Sequence, residues 1–177
     1  TPIVIISSTN ITVNSCDLNG IRSEPIRIHG SVGITVSDCD IHDTLYSNYI
    51  GVYDSDLIKF SDNDIYSMEF GLYIWNCLDF SSHSNVFFDI SDITMKIERS
   101  RFSITNDLYS SASIGIYLDD NLPASIDNCN FIDIAGYGIV AIGSHNNLVI
   151  NSSQFVRCNE GIFISQQIGL AISSNKF

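Results

Sequence analysis

Basic residues are scarce in this sequence: eight Lys and Arg stand against twenty Asp and Glu, a formal net charge of −12 at pH 7. A nucleic-acid binder needs a basic stripe to replace the counterions on phosphates, so nucleic acid is excluded as a partner. An anionic membrane surface would also repel the chain, and cations or basic surfaces are the electrostatically plausible company. No apolar run reaches the length of a transmembrane helix, which argues against membrane insertion. The opening Thr1-Pro2-Ile3-Val4-Ile5-Ile6 lacks the basic segment and the length of a signal peptide. CxxC pairs are missing: the five Cys stand at positions 16, 39, 77, 129 and 158, which excludes the usual zinc and thioredoxin-like motifs. HxH and HExxH spacings are missing too, with His29, His42, His83 and His145 scattered. Only two Met are present, too few for a thioether-rich copper(I) site. Helical periodicity is absent wherever it would have to run long enough for a βαβ crossover.

Ile, Phe and Tyr are plentiful, and Ser, Asn, Asp and Thr carry the polar duty. That mixture favours short strands and turns. It is also organised. Ile11-Thr-Val13-Asn-Ser-Cys16-Asp-Leu18 returns as Ile34-Thr-Val36-Ser-Asp-Cys39-Asp-Ile41 and as Ile58-Lys-Phe60-Ser-Asp-Asn63-Asp-Ile65. A degenerate copy at Phe80-Ser-Ser-His83 is followed by Met95–Phe102, Ala124–Phe131, Leu148–Phe155 and Leu170–Phe177. The period is about 23 residues. Within each copy, apolar residues alternate, two small polar residues turn the chain, and a Cys, Asn or Ser precedes a second short strand. A further half-unit follows, as in Gly71-Leu72-Tyr-Ile74, Gly115-Ile116-Tyr-Leu118, Gly138-Ile139-Val-Ala141 and Gly161-Ile162-Phe-Ile164. Its Gly is expected to enter the strand at positive φ.

One such unit cannot bury its apolar residues alone. Stacking at about 4.8 Å places like over like and makes continuous internal ladders. The expected architecture is all-β: a right-handed parallel β-helix of about eight coils, with residues 1–177 as a single domain. The small polar ladder is expected to run Cys16, Cys39, Asn63, His83, Ser100, Cys129, Ser153, Asn175. Its uneven steps around residues 78–122 predict a loop at Thr105–Ser113, with any binding cleft beside it. Neither end reads as capped. The chain is therefore expected to be part of a longer solenoid, or to form a homo-oligomer by end-to-end stacking of coils.

The pattern I-x-I-x-x-[N/C/S]-x-F followed by G-I-x-I resembles the right-handed parallel β-helix repeat family, a pectin-lyase-like superfamily that includes the NosD-like periplasmic proteins. The resemblance implies an extracellular or cell-surface location. It is nearly silent on chemistry, because the scaffold hosts lyases, hydrolases, epimerases, adhesins and structural proteins.

Register predicts an acidic column of Asp17, Asp40 and Asp64, with Asp38 and Asp62 in a neighbouring column and Arg99 and Arg101 further along both. Stacked carboxylates repel, and calcium is the cation such oxygen-rich sites take. Calcium beside carboxylates and an Arg is similar in layout to a pectate lyase site, but no lyase motif matches residue by residue. The plain alternative is a solvated acidic face. Tyr73, Tyr117 and Phe163 share an outward position, with Trp75 close by, and suit stacking against sugar rings. Cys16 and Cys39 are expected to stack as free thiols, while Cys77 and Cys158, near turns, are candidates for exposure. Three readings follow: a non-catalytic structural or surface repeat module, a calcium-dependent polysaccharide lyase or hydrolase using the Asp-rich face, and a carbohydrate-binding module. The first is favoured, because no catalytic motif is found.

Overall fold

The computed structural model describes residues 1–44, 49–144 and 147–177, so the sequence position His145 lies outside the described residues. The chain winds as a parallel β-solenoid with three strand positions per coil. Strands Ile3–Ile6, Ile26–His29, Ile50–Tyr53 and Leu72–Trp75 begin one face, here face A. Strands Thr12–Asn14, Thr35–Ser37, Asp56–Ser61, Leu78–His83, Phe102–Thr105, Ala124–Asp127, Leu148–Asn151 and Ala171–Ser173 form face B. Strands Asp17–Asn19, Asp40–His42 and Asp64–Met68 begin face C. From Val86 onward, faces A and C are joined: Val86–Glu98, Leu108–Asp119 and Asn130–Ile142 each run from face C into face A across a register shift. Every pairing is parallel, and the eight stacked strands of face B correspond to about seven full turns. Among the described residues no helix is long and apolar enough to cross a membrane.

Short polar corners let so tight a coil turn. Ser15, Asp38, Asp62, Ser84, Asn106, Asn128, Ser152 and Ser174 all adopt positive φ at one corner, between faces B and C. These are small polar residues, whose side chains tolerate the left-handed region best after Gly. The half-unit glycines do something else. Gly71, Gly115, Gly138 and Gly161 are absent from the positive-φ residues. A Cβ on Gly138 would lie 2.6 Å from the Phe155 ring and 2.7 Å from the Gly161 carbonyl, so these glycines make room for a neighbouring coil. The expectation of positive φ there is corrected.

The interior is built of ladders. Ile28, Val52, Ile74, Ile97 and Leu118 stack under face A, and Val36, Phe60, Ile104, Ile126 and Ile150 under face B, all fully buried. Phe87, Tyr109, Phe131, Phe155 and Phe177 form a column of parallel rings 4.8–5.1 Å apart, tilted by no more than 10°. Two polar ladders close the corners. One runs Cys39, Asn63, Asn85, Asp107, Cys129, Ser153, Asn175. The Cys39 N–H donates to Asn63 Oδ1 (3.0 Å), the Asn63 N–H to Asn85 Oδ1 (3.0 Å) and the Asn85 N–H to Asp107 Oδ1 (2.8 Å). The other runs Ser31, Ser55, Cys77, Ser100, Asn121, with the Cys77 N–H donating to Ser100 Oγ (3.0 Å) and the Ser100 N–H to Asn121 Oδ1 (2.9 Å).

This corrects the ladder expected from sequence. His83 faces outward and Asn85 takes the inner place; Ser100 belongs to the second corner. The segment Met95–Ile97 pairs with Leu72–Ile74, so it is the second half-unit and not the first. With Asn85 and Asp107 in place the steps become 22 to 24 residues throughout, and Thr105–Ser113 is no loop, since it lies mostly within the strands Phe102–Thr105 and Leu108–Asp119. All five Cys are free thiols, and Cys77 is fully buried rather than exposed.

Candidate functional site

Face A carries the outward residues singled out in the sequence. Register places Val4, Arg27, Gly51, Tyr73, Lys96, Tyr117, Val140 and Phe163 in one column. The next outward column holds His29, Tyr53, Trp75, Glu98 and Asp119. Tyr73, Tyr117 and Phe163 thus share a column, and Trp75 lies in the adjoining one. The Tyr53 ring folds over Gly51, where a Cβ would sit 2.6 Å from it. It then meets Tyr73 edge-on at 5.9 Å, and Tyr49 meets Tyr73 at 5.6 Å and Phe70 at 5.5 Å. Sequence reasoning missed Tyr49, Tyr53 and Phe70. Only the close approach of Tyr53 over Gly51, two residues earlier in the same strand, signals them.

Polar groups are threaded through this patch. The Tyr53 hydroxyl lies 2.8 Å from Glu24 Oε1 and 3.1 Å from the Tyr49 hydroxyl. The Tyr73 hydroxyl donates to Glu98 Oε2 (2.9 Å), and Lys96 Nζ sits 2.6 Å from Glu98 Oε1. Lys96 also lies over both Tyr73 (5.4 Å) and Tyr117 (5.6 Å), and Arg27 over Tyr53 (5.8 Å). Burial, with the hydrogen bonds to Glu24 and Glu98, pushes the Tyr53 and Tyr73 phenols above their ordinary value. They remain neutral hydrogen-bonding groups throughout the physiological range.

The acidic residues do stack as two columns. Asp17, Asp40 and Asp64 pair in register on face C, and Asp38 and Asp62 hold successive corners. Asp17 finds protein partners. Asp17 accepts from Asn19 Nδ2 (2.8 Å) and faces His42 Nε2 (3.4 Å), and His42 Nδ1 lies 2.9 Å from Asp43. Burial works against the charged His42 ring, but Asp43, Asp40 and Asp17 outweigh it and hold its pKa above the ordinary value. Arg99 and Arg101 do not continue these columns. Both lie near the corner between faces A and B: Arg99 stacks over Asn76, and Arg101 pairs with Asp79 at 3.4 Å. Among the described residues no three His, Cys, Asp or Glu side chains converge as a metal ion would require.

These features define a parallel β-helix repeat protein with its aromatic and acidic columns on the outward faces. Residues 4–177 match the family described as "Periplasmic copper-binding protein (NosD)", and the chain belongs to that family. The family description agrees with the cell-envelope location implied by the repeat. The copper in that description does not fit the described residues: Met68 and Met95 are buried, and no Cys or His cluster accompanies them. The periplasmic alginate epimerase AlgG superposes with a TM-score of 0.88 at 9% identity, over 98% of this chain and 46% of that one. The chain therefore spans about half the length of that structure, and the likeness shows the fold alone. The surface protein and adhesin PfbA of Streptococcus pneumoniae matches at 10% identity over 96% of this chain and 68% of that one, with a TM-score of 0.28. No curated protein matches the sequence.

Proposed function

We propose that the chain is a non-catalytic repeat module of the cell envelope that holds polysaccharide on face A. One observation carries this reading: Tyr49, Tyr53, Phe70, Tyr73, Trp75 and Tyr117 are gathered on one outward face with Glu24, Glu98 and Lys96 among them. Aromatic surface interleaved with fixed hydrogen-bonding groups is what a sugar ring needs, since its C–H face is apolar and its edge is hydroxylated. The rigid ladder beneath supplies preorganisation, so little entropy is lost on binding.

The superposed epimerase is named for alginate, which makes alginate the first probe. Isothermal titration of the whole chain against alginate oligosaccharides is expected to show binding with no change in the sugar, assayed by reducing ends, unsaturated products and epimer ratio. Trp75→Ala is expected to weaken binding about tenfold, and Tyr117→Ala by less, because Lys96 already covers part of its ring. Turnover of the sugar, or binding untouched by Trp75→Ala, would defeat the proposal.

A further inference from the structure

Face C carries an apolar stripe that the core does not use. One outward column runs His42, Tyr66, Phe88, Ser110, Ile132, Val156 on six successive coils. The His42, Tyr66 and Phe88 rings stack face to face, 4.7 and 4.4 Å apart and within 10° of parallel. Ser110 is too small to continue the stack, so the far face of the Phe88 ring has no ring over it. Val86 and Leu108, half-buried in the adjoining column, widen the apolar surface at that point. At about 4.8 Å per coil the stripe is about 24 Å long.

Carboxylates edge the ring stack on both sides. Asp40 and Asp64 stand in the column before it, and Asp43 and Asp89 hold the positive-φ corner after it. Among the described residues no Lys or Arg pairs with any of these four. The Tyr66 hydroxyl is hydrogen-bonded to Asp40, Ser67 Oγ donates to Asp89 at 3.2 Å, and Asp43 meets the His42 ring. Asp64 is exposed. The other two faces differ. Face A holds Arg27 and Lys96 in its outward column and face B holds Lys59. Stacked carboxylates repel, and cations brought by a partner relieve that repulsion. An apolar stripe with an acidic rim thus complements a basic, partly apolar surface.

We propose that face C docks a basic amphipathic helix of a partner protein, laid along the solenoid axis with its apolar stripe on His42, Tyr66, Phe88, Ile132 and Val156 and its Lys and Arg over the flanking Asp. An extended strand sends alternate side chains up and down, so it does not press apolar residues onto the stripe while cations reach to both sides. A helix does, because its apolar stripe is bordered by polar residues along both edges. About sixteen helical residues, at a rise of 1.5 Å each, match the stripe of about 24 Å. The open face of Phe88, beside Asp89, suits a guanidinium, which stacks on aromatic rings and pairs with carboxylates. Apolar contact supplies most of the affinity, and the Asp edges set the orientation. The surface shares no residue with the aromatic patch of face A, so either can fail without the other.

The test is amide NMR titration of the whole chain with a helical peptide of Leu and Arg, about five turns long, with Leu along one face. Two peptides of the same length serve as controls: one with Glu in place of Arg, and one of the same composition with Leu spread around the helix. The amphipathic Arg peptide is expected to shift the amides of His42, Tyr66, Phe88, Ser110 and Ile132, and to bind about tenfold more tightly than either control at physiological salt. Phe88→Ser removes an outward ring and leaves the core in place, and is expected to weaken binding about tenfold. Asp64→Asn with Asp89→Asn is expected to weaken it several-fold. Asp79→Asn with Asp127→Asn, the same loss of charge on face B, is expected to leave it unchanged. Equal binding of the spread-Leu peptide, or equal losses in the two double variants, would reduce the effect to attraction by net charge and overturn the proposal. Absence of binding, an affinity untouched by Phe88→Ser, or shifts confined to Tyr73 and Trp75 would overturn it as well.

Discussion

Phe131→Ala is expected to destabilise the protein by about 3–5 kcal/mol, with a lowered urea midpoint. The ring is fully buried between Tyr109 (4.9 Å, 7°) and Phe155 (4.8 Å, 3°). Removing it empties one rung of a five-ring column, and the coils above and below are held apart by their own strand pairing, so the gap cannot collapse. The same column explains Gly138. A Cβ there would lie 2.6 Å from the Phe155 ring and 2.7 Å from the Gly161 carbonyl, so Gly138→Ala is expected to be costly too. Phe155→Leu should restore part of the loss, because it removes one of the two clashes and leaves the backbone one. Because solenoid coils touch only their neighbours, unfolding of Phe131→Ala is also expected to broaden as the two halves uncouple. A change under 1 kcal/mol in Phe131→Ala would mean that the ring column is not what binds the coils.

Asp107→Asn is expected to stabilise the protein at pH 8 by an amount on the order of 1–3 kcal/mol. Asp107 is fully buried, and its partners are neutral: Ser82 Oγ at 2.5 Å, the Tyr109 hydroxyl at 3.2 Å and the Asn85 N–H at 2.8 Å. Burial pushes its pKa from 3.8 to about 6, and the hydrogen bonds from Ser82, Asn85 and Tyr109 offset only part of that rise. A carboxyl raised on folding binds its proton more tightly in the folded state. Its stabilisation is complete below the unfolded value of 3.8 and is lost as pH rises through about 6. The gap between those two values is worth on the order of 3 kcal/mol. The wild type should therefore lose stability from pH 4 to pH 7, and Asp107→Asn should flatten much of that slope. Asn fits the place, since Asn63 and Asn85 fill the same ladder two and one coils before. Acidic self-repulsion also weakens the fold as pH rises, but it acts on both proteins, so the difference between their melting curves isolates Asp107. Parallel curves would refute the assignment.

The buried Asp107 also shows where sequence reading stopped. Ser82 and Asp107 look like loop residues, because the surrounding rungs are Phe60 and Ile104 on one side and Asn85 and Cys129 on the other. They are legible only as a pair, the Ser hydroxyl closing on the carboxylate across two coils. Taking His83 for the inner rung followed from the same obscurity: Ser81, Ser82 and His83 break the I-x-I alternation that marks strands elsewhere. Arg101 fell in the wrong column because Ser100 imitates the Asn/Cys/Ser rung of the other corner.

The sequence by itself determined the solenoid, its period and the identity of most rungs, because apolar alternation, small polar corners and the fixed strand spacing act locally and repeat. It also determined that Asp17, Asp40 and Asp64 align, and that Tyr73, Tyr117 and Phe163 share a column, since register between like units follows from the count alone. Only the tertiary structure decided what meets across the corners. It placed Tyr53 and Tyr49 against Tyr73, Lys96 between two tyrosines, and Arg101 beside Asp79 rather than in the acidic columns. Those neighbours depend on the path of each corner and on which side chain folds over a glycine, and neither is written in the spacing of the repeat.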